Sequence, residues 1–319
     1  MKQKNRFRRI AAIVTLAGTL LGPKISLEQK VNQFPVKVEK SMAKAGSFNN
    51  LEGRLTVLGF DILFNGLKSG IGAVYHNKDF WPAFFKGALS GMIVYTGKEI
   101  ASWNYKVPFS GATGKLVHDF GVSMSDNVAL GRTMFSRYVT DFGPVELQFQ
   151  SNKVSFYFHP YPLYAIIKNF ANGYKLDLAE TLSNLTPVFY FKQNKSLTFN
   201  NMQVGGFTQQ NVMTYCLNCK PDGISNSLKS HEFNHVLFFS EFRFLDEMMD
   251  KKSESVQGMP VFWKFAPVFD YIKLGPFLAQ TFFSIPSIFS KNAYWYLPHE
   301  FEAYTLNRPQ RFNPHPLYH

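Results

Sequence analysis

The stretch Ser227-Leu228-Lys229-Ser230-His231-Glu232-Phe233-Asn234-His235-Val236-Leu237 contains the pattern H-E-x-x-H, and the rest of the chain is read from it. Residues four apart lie on one face of a helix, so His231 and His235 can reach one metal ion from adjacent turns. Glu232 projects beside them, where a carboxylate can take a proton from a metal-bound water. Asn226 or Ser227 caps a helix that begins near Leu228. Within it Leu228, His231, Glu232, His235, Phe238, Phe239, Phe242, Leu245 and Met249 follow three- and four-residue spacing. That spacing places both histidines in an apolar stripe facing the core. Two ordinary core histidines would share the stripe; Glu232 between them favours the metal.

A catalytic zinc takes three protein ligands and keeps a fourth position for water. The longer pattern H-E-x-x-H-x-x-G-x-x-H is not met, since phenylalanines follow His235 where a glycine is needed. Downstream, Leu297-Pro298-His299-Glu300-Phe301-Glu302-Ala303-Tyr304 reads as a short helix, with Pro298 in its first turn and Pro309 beyond its end. Glu300 and Ala303 share a face, and the small residue lets this helix press on the first while Glu300 reaches the metal. Glu302 points roughly 200° away at about 100° per residue, so both glutamates do not ligate from one regular helix. Glu300 is the first choice, with Glu302 and His299 left open.

The pair His231–His235 and Glu300-x-x-Ala303 resembles the gluzincin type of zinc metallopeptidase. The resemblance implies His231, His235 and Glu300 as ligands of Zn2+, Glu232 as general base, and a peptide or protein substrate. It also implies a zincin-like fold, in which a sheet edge above the motif helix pairs with extended peptide. The strand near Asn211–Tyr215 is the expected edge. Tyr294, Tyr296 and Tyr304 are the nearby donors for an oxyanion. Lys229 departs from the uncharged surroundings the type favours, and Tyr304 stands where it often has Asp. The stretch from Gly66 to Gly143 resembles uncharacterised bacterial envelope proteins, which assigns no activity.

Cys216-x-x-Cys219 is a rival partner for the histidines, because Cys-x2-Cys-x11-His-x3-His approximates a structural zinc finger. Gly223 stands where a finger places its central aromatic. Export favours a disulfide or redox role for these two cysteines.

Working outward, the fold class is α+β. Residues 51–106 form a glycine-rich helical region, in which Gly66 and Gly70, and Gly87 and Gly91, let helix backbones approach closely. Lys68, Lys78, Asp79, Lys86 and Lys98 interrupt it. Residues 107–215 form an antiparallel β-rich region. There Val145, Leu147 and Phe149 alternate with Glu146, Gln148 and Gln150, and the chain turns at Ser151-Asn152-Lys153 into Val154, Phe156 and Phe158. A second hairpin is expected from Val188–Lys192 to Ser196–Phe199. Leu163–Leu185 is helical and broken near Asn172-Gly173. Residues 216–319 form the zincin-like helical metal-site region.

The net charge of +12 is concentrated at the front. Residues 1–45 carry ten Lys/Arg against two Asp/Glu, which leaves +4 for the remainder. No nucleic-acid partner is expected, since no binding motif accompanies the charge. Lys2, Lys4, Arg6, Arg8 and Arg9 precede the apolar run Ile10–Leu21, which makes residues 1–23 a signal peptide or N-terminal anchor and 24–50 a linker. The sparsely charged stretch Val261–Phe289 forms buried core or docks peripherally on a membrane. The expected protein is an exported zinc-dependent metallopeptidase of the periplasm or cell envelope. The alternative is a non-catalytic envelope binding protein.

Overall fold

The computed structural model describes residues 51–103, 107–192, 197–199, 202–204, 206–217, 226–249, 302–303 and 305–306. The calls on residues 1–50, Cys219, Val261–Phe289, Tyr294, Tyr296, His299, Glu300 and Tyr304 lie outside these residues.

Among the described residues three helices come first: α1 (Leu51–Tyr75), α2 (Phe80–Ala101) and α3 (Ser110–Ala129). They pack on one another through glycine. A Cβ on Gly91 would lie 2.3 Å from the Asp61 carbonyl oxygen, and one on Gly97 would lie 2.4 Å from the His118 nitrogen. The backbones of α1 and α2, and of α2 and α3, are therefore in direct contact, as the glycine spacing predicts. Gly66 and Gly70 differ: they seat the rings of Phe84 and Phe80.

Helix α3 corrects the expectation that the chain turns to strands at residue 107; the first strand starts at Tyr138. The helix was hidden because its polar side chains face inward. Lys115, His118, Asp119, Ser123, Ser125, Asp126 and Asn127 are all buried, so no solvated stripe marks it. Helix α1 is polar within as well. Lys68 pairs with Asp126 at 2.8 Å, and the Asn65 side-chain oxygen Oδ1 accepts from the Ser125 hydroxyl at 2.8 Å.

Strands β1 (Tyr138–Phe142), β2 (Val145–Gln150) and β3 (Lys153–Phe158) form an antiparallel sheet whose β2–β3 turn is the one expected. Its core face is the polar one. Asp141, Glu146 and Gln148 are buried, while Phe149 and Phe156 are exposed. The buried carboxylates are served in place. Glu146 accepts from Gln148 at 2.6 Å and meets His159 Nε2 at 3.1 Å, and Asp141 accepts from Asn211 at 2.8 Å. Burial alone would lower the His159 pKa, but the hydrogen bond and charge of Glu146 raise it. On α3, the Ser123 hydroxyl accepts from the Val139 amide at 2.9 Å and fixes this sheet to the helices.

Helices α4 (Pro160–Ala171) and α5 (Leu178–Asn184) are separated at Asn172-Gly173, as expected, with β4 (Lys175–Leu176) between them. A second sheet runs in the order β4, β5 (Val188–Lys192), β9 (Met213–Leu217), β8 (Gly206–Thr208). It corrects two expectations. The sheet is mixed rather than antiparallel, because β5 and β9 are parallel. The hairpin from β5 to 196–199 does not form either: β6 (Leu197–Phe199) pairs with β7 (Met202–Val204). The reason is burial. Val188, Phe189 and Phe191 are enclosed on both faces, which suits an interior strand rather than a half-exposed hairpin arm.

Helix α6 (Asn226–Ser240), a 3-10 turn (Glu241–Arg243) and α7 (Phe244–Met249) follow β9. One side of α6 packs Phe233, Val236 and Leu237 on Val188, Met213 and Tyr215 of the mixed sheet. Beyond it, Phe238, Phe239 and Phe242 cluster with Phe64 of α1. The α+β class holds, with α6 enclosed between the mixed sheet and the helical trio.

The α1–α2 contact has no room for a side chain. Gly91→Val should destabilise the protein by about 3 kcal/mol through overpacking against backbone. Thermal or denaturant unfolding measures this.

Candidate functional site

Helix α6 is held at its start by Lys229 and, just past its end, by Glu241, which pairs with Lys98. At its start Lys229 forms an ion pair with Glu180 of α5, and its ammonium lies 5.1 Å from the centroid of the Tyr215 ring. Tyr215 in turn donates to Asp177, the N-cap of α5, at 2.6 Å. The residue that departs from the uncharged pattern is thus a tether to the sheet and to α5. The Asn234 side chain donates to the Ser230 carbonyl within the helix.

Between these ends His231 and His235 meet. Their Nε2 atoms are 3.1 Å apart, with the rings nearly perpendicular at 86°. Zinc bound tetrahedrally at 2.0–2.1 Å from two nitrogens would set them about 3.3 Å apart. The contact is a hydrogen bond between the two rings, at a separation close to that of two ligands on one ion. Both residues are 5% exposed, so the pair sits just beneath the surface. The spacing predicted a shared inward face, and the structure brings these two histidines together.

Glu232 faces the mixed sheet. The Thr208 hydroxyl on β8 lies 2.9 Å from its Oε2 and 2.8 Å from its backbone oxygen, so one proton serves both acceptors. Gly206 on the same strand leaves the carboxylate its room, since a Cβ there would come within 3.0 Å of Glu232 Cγ and Oε1. Strand β8 is hydrogen-bonded to β9 alone among the described strands, which makes it the sheet edge. The edge expected at Asn211–Tyr215 is therefore corrected: β9 is interior, and the edge beside the motif is Gly206–Thr208. Neither Gly206 nor Thr208 was singled out in the sequence. The glycine pair Gly205-Gly206 next to Thr208 was the available signal, because glycine in a strand marks a close approach.

Among the described residues one group of three metal-capable side chains has its ligand atoms within 4.8 Å of one another: Asp61, Glu241 and Glu302. The cation between them is already part of the chain. Lys98 Nζ lies 2.8 Å from Asp61, 2.5 Å from Glu241 and 2.8 Å from Glu302, with all four side chains buried. Three carboxylates do not all stay ionised around one ammonium. Burial pushes Glu302 up to about 7 against the pull of Lys98. Burial acts on Glu241 in the same sense, but Lys98 and His118 outweigh it and hold Glu241 at about 2. This is a structural ion cluster, and it occupies Glu302, the residue left open as an alternative ligand. Glu302, Ala303, Thr305 and Leu306 are helical and buried, in keeping with the short helix read from the sequence.

Cys216 is buried and disulfide-bonded. A disulfide sulfur supplies no thiolate, so Cys216 does not fit a four-ligand finger with the histidines. A small pocket is lined by Asp141, Gly143, His159, Pro162, Gln210, Asn211 and the later part of α6, and does not include His231, Glu232 or His235.

Comparison with protein families, with curated proteins and with solved structures finds no match to this chain.

Lys98 ties α2 to the residue after α6 and to the segment at 302. Lys98→Met should cost about 3–5 kcal/mol at neutral pH, since it strands buried carboxylates. The loss should shrink as the pH falls and those carboxylates take up protons. Unfolding of both proteins at pH 7 and pH 5 measures this; an equal loss at both values would contradict the assignment.

Proposed function

We propose that the protein is a zinc-dependent metallopeptidase of the zincin type, acting outside the cytoplasm. The observation that carries this reading is the approach of His231 and His235 Nε2 to 3.1 Å on α6, with the intervening Glu232 carboxylate held by Thr208 of the β8 edge. His231 and His235 supply two ligands, and Glu300 supplies the third by its resemblance to the E-x-x-A helix. Zinc, when bound, lowers the pKa of a coordinated water toward 7 and polarises a carbonyl.

The chain's own residues do the rest. Glu232 takes the proton of the attacking water and delivers it to the leaving amine. Thr208 donates to one carboxylate oxygen and so fixes which oxygen faces the reaction. The open side of β8 offers backbone groups to an extended peptide, which aligns the scissile bond along the edge. Export is inferred from the basic front end and the apolar run at Ile10–Leu21.

Zinc analysis joined to peptide cleavage tests this. The purified protein should hold zinc and His231→Ala should lose it. Glu232→Gln should keep the metal and cleave a casein or peptide substrate about a thousandfold more slowly. A protein without zinc, or a His231→Ala variant that retains it, rejects the reading.

Gly206→Ala is a finer probe. The atoms nearest the added methyl are Cγ, Oε1 and Cδ of the Glu232 side chain. Turnover should fall about tenfold, roughly 1.4 kcal/mol, with zinc content and melting temperature unchanged. Full activity in this variant would separate Glu232 from the β8 edge.

A further inference from the structure

The helical trio is inverted in polarity. Its interior holds Asp61, Lys68, Lys98, Lys115, Asp119 and Asp126, all buried. Its exterior is apolar: on the outer side of α1 and α2 stand Leu55, Leu63, Trp81, Phe85, Leu89 and Met92, between 41% and 65% exposed. Lys86 is the one charged side chain among the exposed positions described in α1, α2 and α3. Helices that face water carry their charges outside, and an exposed apolar face of this extent marks an interaction surface.

Two features identify what covers it. The first is the polypeptide that leads into it. α1 starts at Leu51, itself 73% exposed, directly after a front segment with an excess of eight positive charges over residues 1–45 and an apolar run at Ile10–Leu21. Such a segment is drawn to anionic lipid headgroups and inserts its apolar run. The second is the placement of aromatic residues. Tyr75 and Trp81 flank the α1–α2 turn, Trp103 follows the far end of α2, and all three are exposed. Tyrosine and tryptophan favour the interface between headgroups and hydrocarbon.

The packing of the hairpin favours an interfacial position over one that crosses the bilayer. By length and composition, residues Gly53–Tyr75 of α1 could cross a membrane. Yet β1 is fixed along α3 through Ser123 and Val139, which places an open three-stranded sheet beside the helices. Open strand edges are not tolerated in hydrocarbon.

We propose that the outer face of the α1–α2 hairpin is a membrane-docking surface, seated in the interfacial layer of an anionic bilayer. This inference is independent of the metal site.

The test uses the full chain carrying Phe85→Cys or Leu89→Cys, each labelled with the fluorophore NBD. Cys216 is disulfide-bonded and does not compete for label. The protein is mixed with phosphatidylcholine/phosphatidylglycerol vesicles containing lipids with a doxyl quencher at carbon 5 or carbon 12. Blue-shifted emission at both positions, quenched at least twofold and more strongly by the carbon-5 lipid, is expected. Water-like emission overturns the proposal. A blue shift without quenching also overturns it, and shows that a segment of this chain or a second copy covers the face. Stronger quenching from carbon 12 overturns the interfacial seating in favour of a spanning hairpin.

Discussion

The ammonium of Lys98 is the contact on which the architecture turns. It is enclosed by carboxylates from α1, from the 3-10 turn after α6, and from the helical residues at 302. A charge this deep is tolerated only when paired, because desolvation costs several kcal/mol per ion and only close opposite charge offsets it. The position of Lys98 therefore fixes the distances among α1, α2, the 3-10 turn and the helical residues at 302. Gly97, next to it, brings α3 close enough for His118 to approach Glu241 at 3.8 Å.

The same logic extends through the molecule. Lys115 with Asp119 and Asp141, Lys68 with Asp126, and His159 with Glu146 each place a buried charge beside its complement. Charge pairs of this kind contribute less to net stability than apolar packing of equal volume, yet they reject misaligned arrangements strongly. Apolar packing is concentrated elsewhere, where α6 presses Phe233 and Leu237 on the mixed sheet. Registration of the elements by ions and cohesion by aromatic and aliphatic contacts are thus spatially divided.

Features with a local period were legible in the sequence. The motif helix, the β2–β3 turn at Ser151-Asn152 and the break at Asn172-Gly173 depend on neighbours within a few residues. Alternation in β2 told which side chains share a face. It did not tell which face meets the core, and Glu146 and Gln148 are the buried set. Helix α3 escaped because an inward polar stripe has no contrast with solvent-facing residues in a linear reading. The Lys98 cluster escaped for a different reason: Asp61, Glu241 and Glu302 are remote in sequence, and nothing near Lys98 points to any of them. In the candidate site, the contact of His231 with His235 was readable from five residues, whereas Thr208 and Gly206 required knowing which strand is the edge.

The dispersal of that cluster along the chain has a consequence for biogenesis. Synthesis runs from the N-terminus, and domains fold as their segments emerge. Asp61 and Lys98 are made early and have each other; Glu241 joins only after the motif helix has been made, and Glu302 arrives last. Glu302 and its helical neighbours are therefore fixed in place at the end of assembly. A nascent chain can form its helical trio and even its histidine pair while still lacking this final lock. The ion cluster is in this sense incomplete during synthesis, and it closes when the last glutamate arrives.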